Sequence, residues 1–463
     1  MTPTVQFNQR LIDKYGVTGP RYTSYPTAVQ FHEGFDEIAY RMFAAQSNED
    51  FIPRPLSLYL HLPFCHSLCY YCGCMKKVTQ HDRHGVTYLE YLAREIELQG
   101  QLFDRDREVI QLHFGGGTPT FFDDEQLNGI IGQLGRAFHL IDRVDREYSI
   151  EIDPRTVDRN RLGNLAHMGF NRLSLGVQDF DPEVQKAVNR VQGEEETLEL
   201  IHAARANGFN SVSIDLIYGL PKQNPESFMR TIDSVLAARP DRLSVYNYAH
   251  LPHMFRAQRL IREEELPAPE AKLEILSQTI EKLTEEGYVY IGMDHFALPE
   301  DELFLARDKG ELHRNFQGYS TCAECDLVGI GVSAISKIGH SYAQNRKDIR
   351  EWEAELEAGR LPVWRGVQLT REDVIRQDII ETIMCRGELR FREIEERYHI
   401  DFSEHFALEI ESLGALAKDG LITLDEESLR ATPAGLLLLR VVAMAFDEYL
   451  NRSQQPVGFS KVI

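Results

Sequence analysis

Four of the chain's seven cysteines lie within the ten residues 65–74, CHSLCYYCGC. Thiolates so close together in sequence bind soft metals. A structural zinc site ordinarily joins two C-x-x-C knuckles into a closed tetrahedron. The spacing here is C-x-x-x-C-x-x-C-x-C, and the other C-x-x-C, Cys322 and Cys325, lies far downstream. Zinc bound across that distance is one reading. The other is a cuboidal four-iron cluster, whose corners thiolates usually fill completely. If Cys65, Cys69 and Cys72 hold three corners, one iron stays open to a small molecule. Phe64, Tyr70 and Tyr71 supply aromatic cover from water. Cys74 as a fourth ligand would close the open iron, so it is placed near the cluster and not on it.

A reactive loop needs rigid elements beneath it. SLYLHLPF, IQLHFGGG, YSIEIDP, RLSLGVQDF, SVSIDLIYGL and RLSVYNYAH each read as a short strand rich in β-branched and aromatic residues. Helical stretches lie between them, among them VTYLEYLAREIELQGQLF and PESFMRTIDSVLAA. Repeated strand–helix units imply a parallel sheet, either a barrel or an open doubly wound sheet, with sites at the C-terminal strand ends. The unusual residues sit there: the cysteine loop after strand one, GGGTPT after strand two, Glu151 and Asp153 at strand three, Gln178 at strand four, and Asp215 in strand five. Singly, each has a plainer explanation. Gly-rich strand ends are common turns, Asp215 suits a strand end, and Arg190 suits a helix surface. Their joint placement favours chemistry.

The chain has 463 residues and a formal net charge of −22. That charge argues against a nucleic-acid binder that relies on a basic surface. It also repels anionic ligands at long range. No apolar run is long enough to span a bilayer, and the N-terminus lacks a signal peptide's pattern. A cytoplasmic protein without membrane or nucleic-acid partners is expected. Beyond residue 360, amphipathic helices (REDVIRQDIIETIMC, FREIEERY, FSEHFALEIESLGALAKDG), a hairpin (LITLDEESLRATPAG) and a last helix (LLLLRVVAMAFDEYL) suggest a small domain of winged-helix type. Its mixed charge favours a lid or packing role.

The cysteine spacing after a first strand resembles the radical S-adenosylmethionine (SAM) superfamily signature. The longer strings YLHLPFCHSLCYYCGC, GPRYTSYPTA, HFGGGTPT, SLGVQDF, IDLIYGLPKQ, YNYAHLPHMF, GMDHFALP, LHRNFQGY and GFSKVI resemble one family within it, the oxygen-independent coproporphyrinogen III oxidases, or dehydrogenases. The likeness runs nearly end to end. GPRYTSYPTA and Cys74 separate that family from its haem-chaperone relatives, a binding function that stands as the alternative.

The resemblance implies an α/β fold: a partial (β/α)6 radical-SAM barrel with an N-terminal arm and a small, mostly helical, winged-helix-like C-terminal domain. The expected partition is 1–54 for the arm, 55–345 for the barrel with extensions, and 346–463 for the C-terminal domain. It implies a 4Fe-4S cluster on Cys65, Cys69 and Cys72, with SAM on the open iron. SAM cleavage would give a 5′-deoxyadenosyl radical that takes a hydrogen from a substrate propionate. Two propionates of coproporphyrinogen III would become vinyl groups, giving protoporphyrinogen IX. Tyr59, Gly116 and Glu151 match positions that contact this SAM. Tyr71, Gly117, Thr118, Gln178, Arg190, Asp215, Ala249 and Ile335 match positions of a second SAM beside it. A low-potential donor such as flavodoxin or ferredoxin and a monomeric state complete the expectation. Arg21 is a candidate propionate partner, since guanidinium groups bind carboxylates well, and His295 and Arg314 are candidate pocket residues.

Overall fold

The computed structural model describes residues 5–322, 324–452 and 459–463. They form two compact units that interleave along the chain. The first comprises residues 30–267 and 324–368; the second comprises residues up to 29, 268–323 and 369–463.

The sheet of the first unit contains β1 (Leu56–Leu62), β2 (Glu108–Gly116), β3 (Glu147–Ile152), β4 (Arg172–Gln178), β5 (Ser211–Tyr218), β6 (Arg242–Asn247), β7 (Asp326–Ile330), β8 (Ile335–Ile338), β9 (Ser341–Asn345) and β10 (Val363–Gln368). Its spatial order is β6-β5-β4-β3-β2-β1-β7-β8-β9-β10. Every pairing from β6 through β7 is parallel, and β7 to β10 follow as antiparallel neighbours. Six strands with crossover helices therefore make the partial (β/α)6 barrel. The crossover helices start where the sequence supplies caps. Asp123 and Gln126 form a capping box on Asp124–Ala137, and Asn224 and Ser227 form one on Pro225–Ala238.

Side chains alternate across a strand. Leu58, Leu60, Leu112, Phe114, Ile150, Leu175, Ile214 and Leu243 are buried. The alternate positions are polar and bonded across strands. Ser57 donates to Gln111 at 2.7 Å, Gln111 to Glu147 at 2.8 Å, and Ser174 to Asp215 at 2.9 Å; His113 meets Ser149 at 2.6 Å. A parallel strand covered on both faces reads as a continuous apolar run, so this polar alternation marks a face reserved for something other than packing.

Residues 346–368, placed with the C-terminal segment by the sequence reading, pack with the barrel. Trp352 is buried, stacks on Tyr88 with 4.6 Å between ring centroids and donates to Glu95 at 2.8 Å, while β10 pairs with β9.

In the second unit, helices Arg371–Arg386, Phe391–Tyr398 and Ala407–Lys418 accompany a small antiparallel sheet of Glu388–Arg390, Ser428–Ala431 and Ile422–Leu424. This is the winged-helix-like arrangement, built around stacked Phe391 and Phe402 at 4.2 Å. The last apolar stretch, expected as one helix, is broken into Gly435–Leu438, Leu439–Met444 and Glu448–Arg452. Arg440 in the middle piece is buried and donates to the carbonyls of Gly19, Pro20, Lys461 and Val462. Gly19 and Pro20 are thereby held in this unit, whereas residues 30–54 group with the barrel.

Candidate active site

The cysteine loop leaves the end of β1 and is closed at its base. Phe64–Cys65 pairs with Lys77–Val78, and Thr79 N–H donates to the Cys65 carbonyl at 3.1 Å. Within it, Cys72 N–H donates to the Cys69 carbonyl at 3.3 Å and Lys76 Nζ to the Cys72 carbonyl at 2.9 Å. Tyr70 N–H bonds the Val188 carbonyl at 3.0 Å, and Asn189 bonds the Leu68 carbonyl at 2.8 Å. The loop is thus shaped by backbone bonds from the surrounding barrel.

The glycine turn after β2 presses against this base. Gly117 N–H donates to Leu62 at 2.9 Å and Thr118 N–H to Phe64 at 2.8 Å, both carbonyls. A Cβ on Gly117 would lie 2.6 Å from the Pro63 carbonyl carbon and 2.8 Å from the Phe64 oxygen, both backbone. Gly117→Ala is therefore expected to cost about 1–3 kcal/mol and to lower the iron retained after anaerobic reconstitution. Gly129→Ala, where an added Cβ meets nothing within 4 Å, is the neutral control.

The loop faces a cavity of about 500 Å³ lined by Cys65, Cys69, Cys72, Cys74, Tyr71, Gly116, Gly117, Thr118, Glu151, Gln178, Arg190 and Asp215 together with Lys76, Asp153, Arg155 and Tyr246. That volume suits a nucleoside-sized ligand. The sulfurs do not converge on one point: among the described residues, no three His, Cys, Asp or Glu side chains surround a single metal ion. A cuboidal cluster places its thiolates on separate corners. Burial pushes the Cys65 thiol up to about 11, while a hydrogen bond from Cys74 holds Cys72 down at about 5. Arg190 and Arg155 point at Cys69 Sγ from 3.5 and 3.7 Å, both anchored by Asp153, at 3.1 and 2.6 Å.

Opposite the loop, burial works to raise the Glu151 carboxyl, but the hydrogen bond and charge of His113 and the Gly116 N–H hold it below its ordinary range. Its oxygens sit 3.2 Å from His113 Nε2 and 3.1 Å from Gly116 N. An ionised carboxylate in a cavity suits a cationic amino group. Asp215 differs, because burial and the nearby Glu151 push it up to about 6. Gln178 adopts φ 69° at a β-bulge, and its buried Oε1, like Arg190 Nε, has no partner among the described residues. Backbone strain and orphaned polar atoms concentrate at ligand sites. The donor set and these open atoms fit a cluster and SAM.

Three expected residues do not line this cavity. Tyr59 stacks on His113 at 5.7 Å and bonds His61 at 3.0 Å, so it stands behind Glu151. Ala249 offers its carbonyl to buried Gln258, which also donates to the Tyr71 carbonyl at 2.9 Å. Ile335 lies in β8, opposite Gln344. Reasoning from sequence missed Lys76, Arg155 and Gln258. Arg155 follows the acidic end of β3 directly, and the polar alternation in SLYLHL and EYSIEI was the signal for the inner face.

Residues 59–235 match the radical SAM superfamily model and residues 369–438 the HemN C-terminal domain. With the barrel and the cysteine cavity, this defines a radical SAM protein. The chain is 50% identical to the oxygen-independent coproporphyrinogen III oxidase of Pseudomonas aeruginosa, covering 100% of both, and 49% identical to that of Escherichia coli, covering 99% of both. The solved structure described as coproporphyrinogen III oxidase (HemN) from Escherichia coli, a radical SAM enzyme, superposes with a TM-score of 0.90 at 47% identity, covering 96% of this chain and 100% of the other. The chain belongs to the oxygen-independent coproporphyrinogen III oxidase family.

Proposed function

We propose that this protein converts coproporphyrinogen III to protoporphyrinogen IX without oxygen, by oxidative decarboxylation of two propionate side chains. The observation that carries the reading is one cavity shared by Cys65, Cys69, Cys72, the Gly116–Thr118 turn and Glu151, in a chain that matches its relatives along its whole length. Each propionate loses a hydrogen atom, carbon dioxide and one further electron to become a vinyl group. A 4Fe-4S cluster and SAM, when bound, supply the hydrogen-abstracting radical.

The chain's own residues hold and shield these groups. Cys65, Cys69 and Cys72 are the cluster ligands, and Arg155 and Arg190 direct N–H groups at one thiolate, where such bonds tune a cluster. Glu151 receives the SAM amino group, with its charge maintained by His113 and Gly116. Tyr59, matched by family position to this SAM, would support it indirectly, by stacking on the His113 that bonds Glu151. Tyr71, Gly117, Thr118, Gln178, Arg190 and Asp215 form the wall for a second SAM, to which Ala249 and Ile335 belong by family position. A low-potential flavodoxin or ferredoxin delivers the electrons to a monomer in the cytoplasm. Among the described residues no helix is long and apolar enough to cross a membrane.

Anaerobic incubation with coproporphyrinogen III, SAM and a strong reductant, followed by oxidation and porphyrin analysis, is expected to yield protoporphyrin. Unchanged coproporphyrin with an intact cluster would favour the haem-chaperone alternative and sink this reading.

A further inference from the structure

The second unit holds a group of charged side chains that the cysteine cavity does not use. The hairpin of Val289–Gly292 and His295–Ala297 turns through Met293 and Asp294, both left-handed at φ 41° and 73°. Such backbone at non-glycine residues is costly and persists where its surroundings fix it. The turn presents Asp294 to Arg21, whose Nη2 donates to Oδ2 at 3.2 Å. Arg314, on the hairpin His313–Asn315 and Gly318–Ser320, and Arg440 both act on Asp294 electrostatically. Arg21 thus pairs with Asp294, and the charges of Arg314 and Arg440 are felt at the same carboxylate.

They are not equivalent. Arg440 spends its N–H groups on backbone carbonyls. Arg21 is 43% exposed and opens the group to solvent. Arg314 is only 8% exposed, with its guanidinium 4.8 Å over the Tyr319 ring. Its backbone N–H reaches Glu381 at 3.3 Å, but that carboxylate is engaged by His313. The side-chain Nε and Nη1 of Arg314 have no partner among the described residues. His295, edge-on to Tyr319 at 5.3 Å, is held neutral, pushed down to about 3 by burial and by Arg314. A buried cation with two open donors is expensive to maintain, and a carboxylate offers both the charge and the acceptors that it lacks.

We propose that Arg314, seconded by Arg21, is a carboxylate site that receives a propionate of the tetrapyrrole substrate. The proposal rests on the reaction proposed above, whose substrate carries four carboxylates. A chain of charge −22 repels such a ligand at long range, so its affinity must come from short, desolvated contacts of this kind.

The test uses coproporphyrin III, the stable oxidised porphyrin, titrated against the anaerobically reconstituted protein. Arg314→Gln is expected to raise the dissociation constant about tenfold or more, Arg314→Lys by less, with iron content and SAM affinity unchanged. In the unmodified protein, bound coproporphyrin III should slow amide exchange across residues 313–320, a measurement that stands even if Arg314→Gln folds poorly. Wild-type affinity in Arg314→Gln, or unchanged exchange across 313–320 on binding, overturns the site. No binding or turnover by the unmodified protein would instead overturn the proposed reaction.

Discussion

Serine in place of Cys65, Cys69 or Cys72 is expected to leave a colourless protein with little iron and no SAM cleavage. A hydroxyl is a poor substitute for a soft thiolate, and with three protein ligands on four irons none of the three is redundant. Cys74→Ser is expected to keep its cluster, although Cys74 lines the same cavity. Iron per chain after anaerobic reconstitution and methionine released from SAM are the readouts. An iron-free Cys74→Ser protein, or a Cys69→Ser protein that still cleaves SAM, contradicts the ligand assignment. The loop is bonded to the barrel by its backbone, so the serine variants should remain folded, and circular dichroism would show it.

The second large effect is one of stability. Glu95 is fully buried on helix Asp82–Gly100, and its carboxyl accepts from Gly331 N–H at 2.9 Å, Trp352 Nε1 at 2.8 Å and Asn345 Nδ2 at 2.7 Å. It ties the first crossover helix to three segments downstream of β7. Glu95→Leu leaves three buried donors without an acceptor and is expected to cost about 3–5 kcal/mol. Glu95→Gln keeps an acceptor and should cost far less. The pair also has a pH signature. Burial pushes the Glu95 carboxyl from 4.5 up to about 7, against those hydrogen bonds. A folded value above the unfolded one gives a contribution fully present below about 4.5 and lost as pH rises through about 7. Across that window the wild type should lose about 3 kcal/mol relative to Glu95→Gln. Parallel denaturant curves for the two proteins through that range would contradict it.

The cysteine spacing, the GGGTP turn and the strand-end acids were legible because each depends on local chemistry. All six parallel strands lie where the β-branched runs place them. What was not legible depends on three-dimensional register. Arg155 and Arg190 meet at Asp153 only because β3 ends beside the helix that follows β4. Gln258 reaches Tyr71 from a stretch with no periodic pattern. Tyr59 alternates onto the inner face as the sequence implies, but His113 stands beside it and takes its ring. The broken last helix escaped notice because an apolar run does not reveal that one arginine within it will collect distant carbonyls.

That arginine bears on how the chain folds. Arg440 donates to the Pro20 carbonyl 420 positions upstream, and every barrel strand lies between the two. Closing so long a loop carries more entropy cost than pairing strands that are near neighbours along the chain, and contacts of large sequence separation slow folding. The second unit therefore depends on a contact of the slow kind, whereas most barrel strands pair with the strand next along the chain.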